Sequence, residues 1–270
     1  MNKISYCIDQ CINNDVRINA NKKQKIRIRA FKAINEPHTC FIFIKKHHEI
    51  LKHYGLEIIT SNNNDWANSP NVYVLVAESL TTGEMIGGAR IHIANECEKL
   101  PIEDAVFHMD PKIVDLIEKY SIQGGVGELC GLWNSLHHKK IGLSVRLARA
   151  SIAVVNQLKF STLMAIVGRA TLNGSRHVGF VENKMLGDKG TFPYPRKDMI
   201  AWVLGVLNAR TLETASTRDK KIIQELRETP CQFKKEQAGR IELNIDYQLT
   251  IKNKQYDNYL TYEKKLNNCI

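Results

Sequence analysis

A glutamate, an apolar strand and a basic glycine turn follow one another between residues 127 and 144. Gly127-Glu128-Leu129-Cys130-Gly131-Leu132-Trp133-Asn134 reads as a short strand. It feeds the turn His137-His138-Lys139-Lys140-Ile141-Gly142, after which Leu143 and Ser144 open a long apolar helix. A helix start leaves its first N–H groups without intrahelical acceptors and presents the positive end of the dipole. A strand, a glycine turn and a helix start in that order form an arrangement that holds phosphates. The N–H groups of residues 142–144 would face the anion, and His138, Lys139 and Lys140 would add positive charge. Two other constellations carry less. Cys130 with His137 or His138 could make a thiol nucleophile, yet a cysteine inside an apolar strand reads as packed and inert. His47, His48 and His53 share one helix, but with no carboxylate or cysteine cluster beside them they read as surface residues, and no metal is expected.

The elements that must position this segment can be read around it. The helix 143–158 has apolar residues at 143, 147, 150, 154 and 158, and others at 145, 148, 152 and 155, which leaves Arg146, Arg149 and Asn156 on the remaining stripe. A strand follows at 161–167, then the closing pair Gly179-Phe180. Upstream, the pattern predicts a strand at 25–34. Pro37 then opens a helix that runs through 40–54 and stops at Gly55. Residues 62–70 are turn-rich. Strands at 71–78 and 85–94 are joined by Thr81-Thr82-Gly83-Glu84, and a helical pair lies around 102–107 and 111–120. Downstream, strands at 181–187 and 198–207 are separated by Gly190, Pro193 and Pro195. A charged helix at 211–228 precedes 240–252, whose clean alternation predicts a strand with one buried face that could extend the sheet or pair with a second copy. The order describes a mixed α/β fold with a largely antiparallel first half and one parallel crossover. It divides the chain into a basic amino-terminal segment (1–24), a main domain (25–209) and a carboxy-terminal helix-strand extension packed on that domain (210–270).

The 270 residues, 43% hydrophobic and 24% charged, allow a substantial core and exclude a disordered class. The longest near-continuous apolar run, 199–207, is far too short to span a bilayer, and the first thirty residues are polar and basic. A soluble, cytoplasmic chain is the expectation. Seven scattered cysteines without a Cys-x-x-Cys pair argue for reduced thiols and against a structural zinc site. The net charge of +10 is concentrated in residues 17–32, which carry seven basic side chains and no acidic one. Nucleic acid, an acidic carrier protein or a phosphorylated cofactor could each use such a field. The period-two run at 25–31 instead puts the charges on the wet face of a strand, which disfavours nucleic acid.

This order, with these residues, resembles the GCN5-related N-acetyltransferase (GNAT) superfamily over roughly residues 25–207. Residues 72–93 look like that family's second and third strands, and its phosphate signature Arg/Gln-x-x-Gly-x-Gly/Ala would be Lys139-Lys140-Ile141-Gly142-Leu143-Ser144, with lysine first and serine last. The resemblance implies a GNAT-like mixed, largely antiparallel central sheet flanked by helices. It also implies an acetyl-CoA or longer acyl-CoA cosubstrate, and acyl transfer to a primary amine or amino acid. Backbone groups of Leu132, Trp133 and Asn134 would pair with the pantetheine arm. Glu128, with its pKa raised by burial, would be the base, directly or through a water. The family's acid is a tyrosine about four residues before the closing Gly-Phe, a position held here by Ser175, so Tyr194 or a water would substitute. A fainter resemblance is to the acyl-homoserine-lactone and N-acyl amino acid synthases, which carry Glu-x-Ser/Thr-Arg-Leu. Residues 128–132 keep the glutamate and leucine and lack the arginine. That resemblance brings in acyl carrier protein as an alternative donor. A GNAT-fold binding module without catalysis, and a homodimer, stay open.

Overall fold

The computed structural model describes residues 23–252, apart from the side chains of Lys139 and Lys140; Arg17 and Lys22 of the basic segment, and the tail from 253, lie outside the described residues. Strand β1 (Gln24–Lys32) buries Ile26 and Ile28 and turns Arg27 and Arg29 to the half-exposed face. Those arginines are paired: Arg27 Nε lies 2.8 Å from Asp246, and Arg29 bonds Glu36 and Glu78. Helix α1 (Pro37–Tyr54) has proline in its first turn and ends at Gly55 in the left-handed region (φ +63°). The amides of Gly55 and Leu56 return to the carbonyls of Lys52 and Leu51. The hairpin β2 (Val72–Ser79) and β3 (Met85–Ile93) forms where its turn residues place it, followed by α2 (Pro101–Val106) and α3 (Lys112–Ile122).

Strand β4 (Val126–Asn134), the short 3-10 turn Leu136–Ile141 and helix α4 (Leu143–Val154) make up the segment singled out above. The crossover continues into β5 (Thr162–Gly168) and α5 (Arg169–His177). Then come β6 (Val181–Glu182), β7 (Thr191–Pro193) and β8 (Ile200–Val206). The strand expected at 181–187 is only two residues long, because the chain turns from Lys184, where the amide of Leu186 returns to the Asn183 carbonyl. Helix α6 (Thr217–Glu228) starts six residues later than the expected 211, where the hydroxyl of Ser216 caps the amide of Asp219. The hairpin β9 (Cys231–Ala238) and β10 (Ile241–Gln248) closes the described chain.

Among the described residues ten strands form one sheet in the order β6-β8-β5-β4-β3-β2-β1-β10-β9, with β7 beside β8. Two neighbouring pairs are parallel, β4 with β5 and β1 with β10, one more than expected. The carboxy-terminal strands therefore extend the sheet rather than leave it. Leu243, Ile245 and Tyr247 of β10 are fully buried, and side chains of this size stabilise by about 1.5–3 kcal/mol each. One face of the sheet carries α4, α5 and α6 over a core that includes Leu129, Leu147, Leu163 and Ile245. On the other face, α1 packs Cys40 and Phe43 with Trp66 against Val74, Val76 and Trp133, and α2 and α3 cover Val126, Met164 and Val203.

Candidate active site

Strand β4 pairs with β5 only at Val126–Glu128 and Thr162–Met164 in the parallel register. On its other side it stays paired with β3 as far as Asn134, while β5 stays paired with β8 as far as Gly168. The two strands therefore diverge beyond Glu128, and each keeps a bare edge. A cavity of about 530 Å³ fills the opening, lined by Leu129, Cys130, Gly131 and Leu132 on one side and Ala165, Val167 and Gly168 on the other. A bulge accompanies the divergence. Between the pairs Gly88–Trp133 and Arg90–Cys130, β4 spans one residue more than β3, at Gly131 and Leu132. Gly131 takes φ +55°, and a bulge of this kind raises local twist and turns the strand end away from its neighbour. Backbone polar groups on the bare edge of β4 have no ladder partner from β5. An extended chain bearing amides could supply one.

Glu128 stands at the apex of the opening. Its side chain is fully buried, Oε2 accepts the amide of Ile102 in the first turn of α2 at 2.7 Å, and Oε1 has no partner. Burial pushes the carboxyl up to about 8, against the opposing pull of the Ile102 amide and the Arg90 guanidinium. Tyr194 lines the same cavity. Its hydroxyl accepts the amide of Thr60 at 2.8 Å and lies 3.1 Å from the Thr60 hydroxyl, which itself donates to the Pro101 carbonyl. Burial holds the phenol above its usual range. Ser175, at the position of the family's tyrosine, also lines the cavity.

The expected nucleotide-side residues lie at the far end of β4. Leu132 lines the cavity, whereas Trp133 points into the aromatic core, edge-on to Phe43 at 5.8 Å. Asn134 donates to the Ser144 hydroxyl at 2.8 Å, tying the strand end to the start of α4. His138 faces the Ser135 hydroxyl at 2.7 Å, and burial holds its imidazole below its ordinary value. Ile141 is buried, Gly142 adopts φ +62°, and no side chain caps the start of α4 at Leu143 and Ser144.

Arg90 and His47 were not anticipated. Arg90, on β3 beneath the bulge, is almost fully buried. Its guanidinium lies 4.4 Å from the Trp66 ring centre and 5.9 Å from that of Phe43, and it donates to the Ser61 carbonyl. A Cβ on Gly131 would come 2.7 Å from Arg90 Nε, so the guanidinium occupies the space left by the missing side chain. The signal in the sequence is a lone arginine on the buried parity of an apolar strand. His47 is buried in the cavity wall rather than on the surface, and burial, then Arg90, lowers its imidazole to about 3. The neutral ring belongs to the apolar stripe Cys40, Phe43, His47 and Leu51. The Cys130 thiol, pushed up to about 12 by burial, stays protonated, which fits a packed cysteine. Arg146 and Arg149, expected on the stripe of the helix that its apolar residues leave, are buried and paired with acidic residues of α6 and β9.

This sheet, split between two parallel strands at a bulge and followed by an uncapped glycine turn, defines the GNAT-like class of fold. Among the solved structures that the chain is similar to, the first bears the fold out. FeeM, an N-acyl amino acid synthase from uncultured soil microbes, superposes with a TM-score of 0.50 at 10% identity, over 74% of this chain and 99% of its own. The acyl-homoserine lactone synthase BjaI superposes at 0.48 and 13% identity over 82% and 94%. A putative N-acetyltransferase from Lactobacillus plantarum gives 0.44 and 10% over 67% and 97%. No family model and no curated protein matches the sequence. Among the described residues no helix is long and apolar enough to cross a membrane.

Proposed function

We propose that this protein is an N-acyltransferase that moves an acetyl or longer acyl group from acyl-CoA to a primary amine or amino acid. The observation that carries the reading is that one strand, β4, lines up three parts in the order an acyl-CoA would need them. These are a buried carboxylate at Glu128, a bare edge from Leu129 to Trp133, and the glycine turn with the open N–H groups of α4. The pyrophosphate lies against residues 142–144, with Lys139 and Lys140 as the basic residues beside it; the imidazole of His138, lowered by burial, adds no charge there. The pantetheine amides pair with the edge at Leu132–Asn134, which brings the thioester into the cavity. The neutral amine nitrogen attacks the carbonyl carbon, and Glu128 in its ionised form takes the proton that the nitrogen sheds as the C–N bond forms. Backbone amides at the Gly131 bulge stabilise the oxyanion. As the tetrahedral intermediate collapses, the C–S bond breaks and Tyr194 returns a proton to the leaving thiolate. FeeM is described as an N-acyl amino acid synthase, which supports acyl transfer as the class.

The test is calorimetric titration with acetyl-CoA and longer acyl-CoAs, paired with release of free CoA thiol in the presence of an amine panel. Saturable binding with amine-dependent thiol release is expected. Absence of binding to every acyl-CoA and to acyl carrier protein would refute the proposal. Binding without turnover across the panel would leave the binding-module alternative in its place.

A further inference from the structure

The underside of the glycine turn is held by one side chain, and that side chain is held by the carboxy-terminal extension. Arg146, four residues into α4, donates through Nη1 to the carbonyls of Ile141 at 2.7 Å and Gly142 at 3.2 Å. Through Nη2 it donates to the carbonyl of Gln237 on β9 at 3.2 Å, and its Nε lies 2.9 Å from the Glu236 carboxylate. Glu236 in turn accepts the hydroxyl of Tyr247 on β10 at 2.8 Å and lies 3.8 Å from Arg149, which pairs with Asp219 on α6 at 2.5 Å. Arg146, Arg149, Asp219 and Tyr247 are buried and Glu236 is half-buried, and two guanidinium groups face two carboxylates, so the cluster carries no net charge to set against an anion. Its effect is on geometry. In a trans peptide the C=O and the following N–H point in opposite directions. Drawing the Ile141 and Gly142 carbonyls inward to Arg146 therefore aims the N–H groups of Gly142 and Leu143 outward. Gly142 fits because a Cβ there would meet Arg146 Nη1 at 2.9 Å.

We propose that Arg146 is a positioning residue for this turn and that β9, through Glu236 and the Gln237 carbonyl, fixes it in place, which gives the carboxy-terminal extension a role in pyrophosphate recognition. The inference rests on the acyl-CoA reading. A turn whose carbonyls are released must be ordered by the ligand, and that ordering weakens binding.

The test uses the full chain carrying Glu236→Gln or Arg146→Met. CoA, which has the pyrophosphate, is titrated alongside S-acetylpantetheine, which lacks it. Affinity for CoA should fall roughly tenfold in both variants, while that for S-acetylpantetheine holds at the wild-type value. Arg146→Lys, which cannot span both carbonyls and Glu236, should not restore CoA binding. Unchanged CoA affinity would overturn the proposal. So would equal weakening for both ligands, since the residues would then serve the fold alone. Should Arg146→Met not fold, Tyr247→Phe, which frees Glu236 from its hydroxyl partner, replaces it with the same expected split. A wild-type protein that binds neither ligand would overturn the acyl-CoA reading itself.

Discussion

Replacing Glu128 with glutamine should remove a pH dependence of stability that belongs to this one residue. The carboxyl is fully buried, one oxygen lacks a partner, and its pKa stands near 8 against 4.5 for the free group. Between those values the folded protein keeps a proton that the unfolded chain releases. The slope of unfolding free energy against pH is then negative, so stability is full below about 4.5 and declines as pH rises through 8. Each pKa unit corresponds to about 1.4 kcal/mol, which gives a loss of about 3 kcal/mol between pH 6 and pH 9 from Glu128 alone. Glutamine keeps the shape and an oxygen for the Ile102 amide but does not titrate. Urea unfolding of both proteins at pH 6 and pH 9 isolates the effect, because other groups cancel in the difference between the two slopes. The wild type should lose about 3 kcal/mol more than Glu128→Gln over that interval. Equal losses would mean that Glu128 ionises as freely as a solvated carboxylate, and the argument for a burial-tuned base would fall. The same substitution should lower kcat/KM by about 100-fold or more, and should remove a rise in the wild-type profile toward pH 8.

Three further substitutions probe the surroundings. Gly131→Ala places a Cβ 2.7 Å from Arg90 Nε at φ +55°, and should destabilise by about 1–3 kcal/mol in urea unfolding; a change under about 0.5 kcal/mol would show that the bulge does not need glycine. Tyr194→Phe should cut kcat by about 100-fold with a smaller change in the KM for acyl-CoA, since the phenol is assigned to the leaving thiolate. A drop in melting temperature at unchanged kcat would reduce Tyr194 to a pin for the Thr60 loop. Asp219→Asn leaves Arg149 buried with only the more distant Glu236, and should destabilise by about 3–5 kcal/mol in thermal or urea unfolding, with a loss below about 1 kcal/mol refuting a tightly coupled pair.

Elements with their own period and punctuation were legible in the sequence. The hairpin of β2 and β3, the proline-to-glycine span of α1 and the run from β4 through Gly142 into α4 all lie within a residue or two of expectation. Strand β9 was not legible. Cys-Gln-Phe-Lys-Lys-Glu-Gln-Ala has no apolar alternation, and its one large apolar residue, Phe233, is 83% exposed. The segment is a strand because β10 offers it an edge, a cause outside its own residues. Arg146 and Arg149 were placed on the stripe left by the apolar positions, and the structure buries both. That an acidic lining from α6 and β9 would cover the stripe depends on residues 70 to 90 positions away. Glu128 and Tyr194 do meet in one cavity, although nothing local in either segment specifies it.

The placement of the site follows from the crossover itself. A parallel pair cannot be closed by a tight turn, so the chain leaving β4 must run back along the sheet, and here it does so as α4. That forces the start of α4 to the carboxyl end of β4, the end at which open α/β sheets bind their ligands. The same end is where β4 carries its bulge and parts from β5. The uncapped helix start and the bare strand edge are thus two results of one topology, contiguous along a single segment. Their order, helix start (the proposed anion site), then bare edge (the proposed amide-pairing edge), then buried carboxylate, is fixed by the direction of the strand. A ligand that uses all three must carry its anionic, amide and reactive groups in that sequence, which is the sequence from pyrophosphate through pantetheine to thioester.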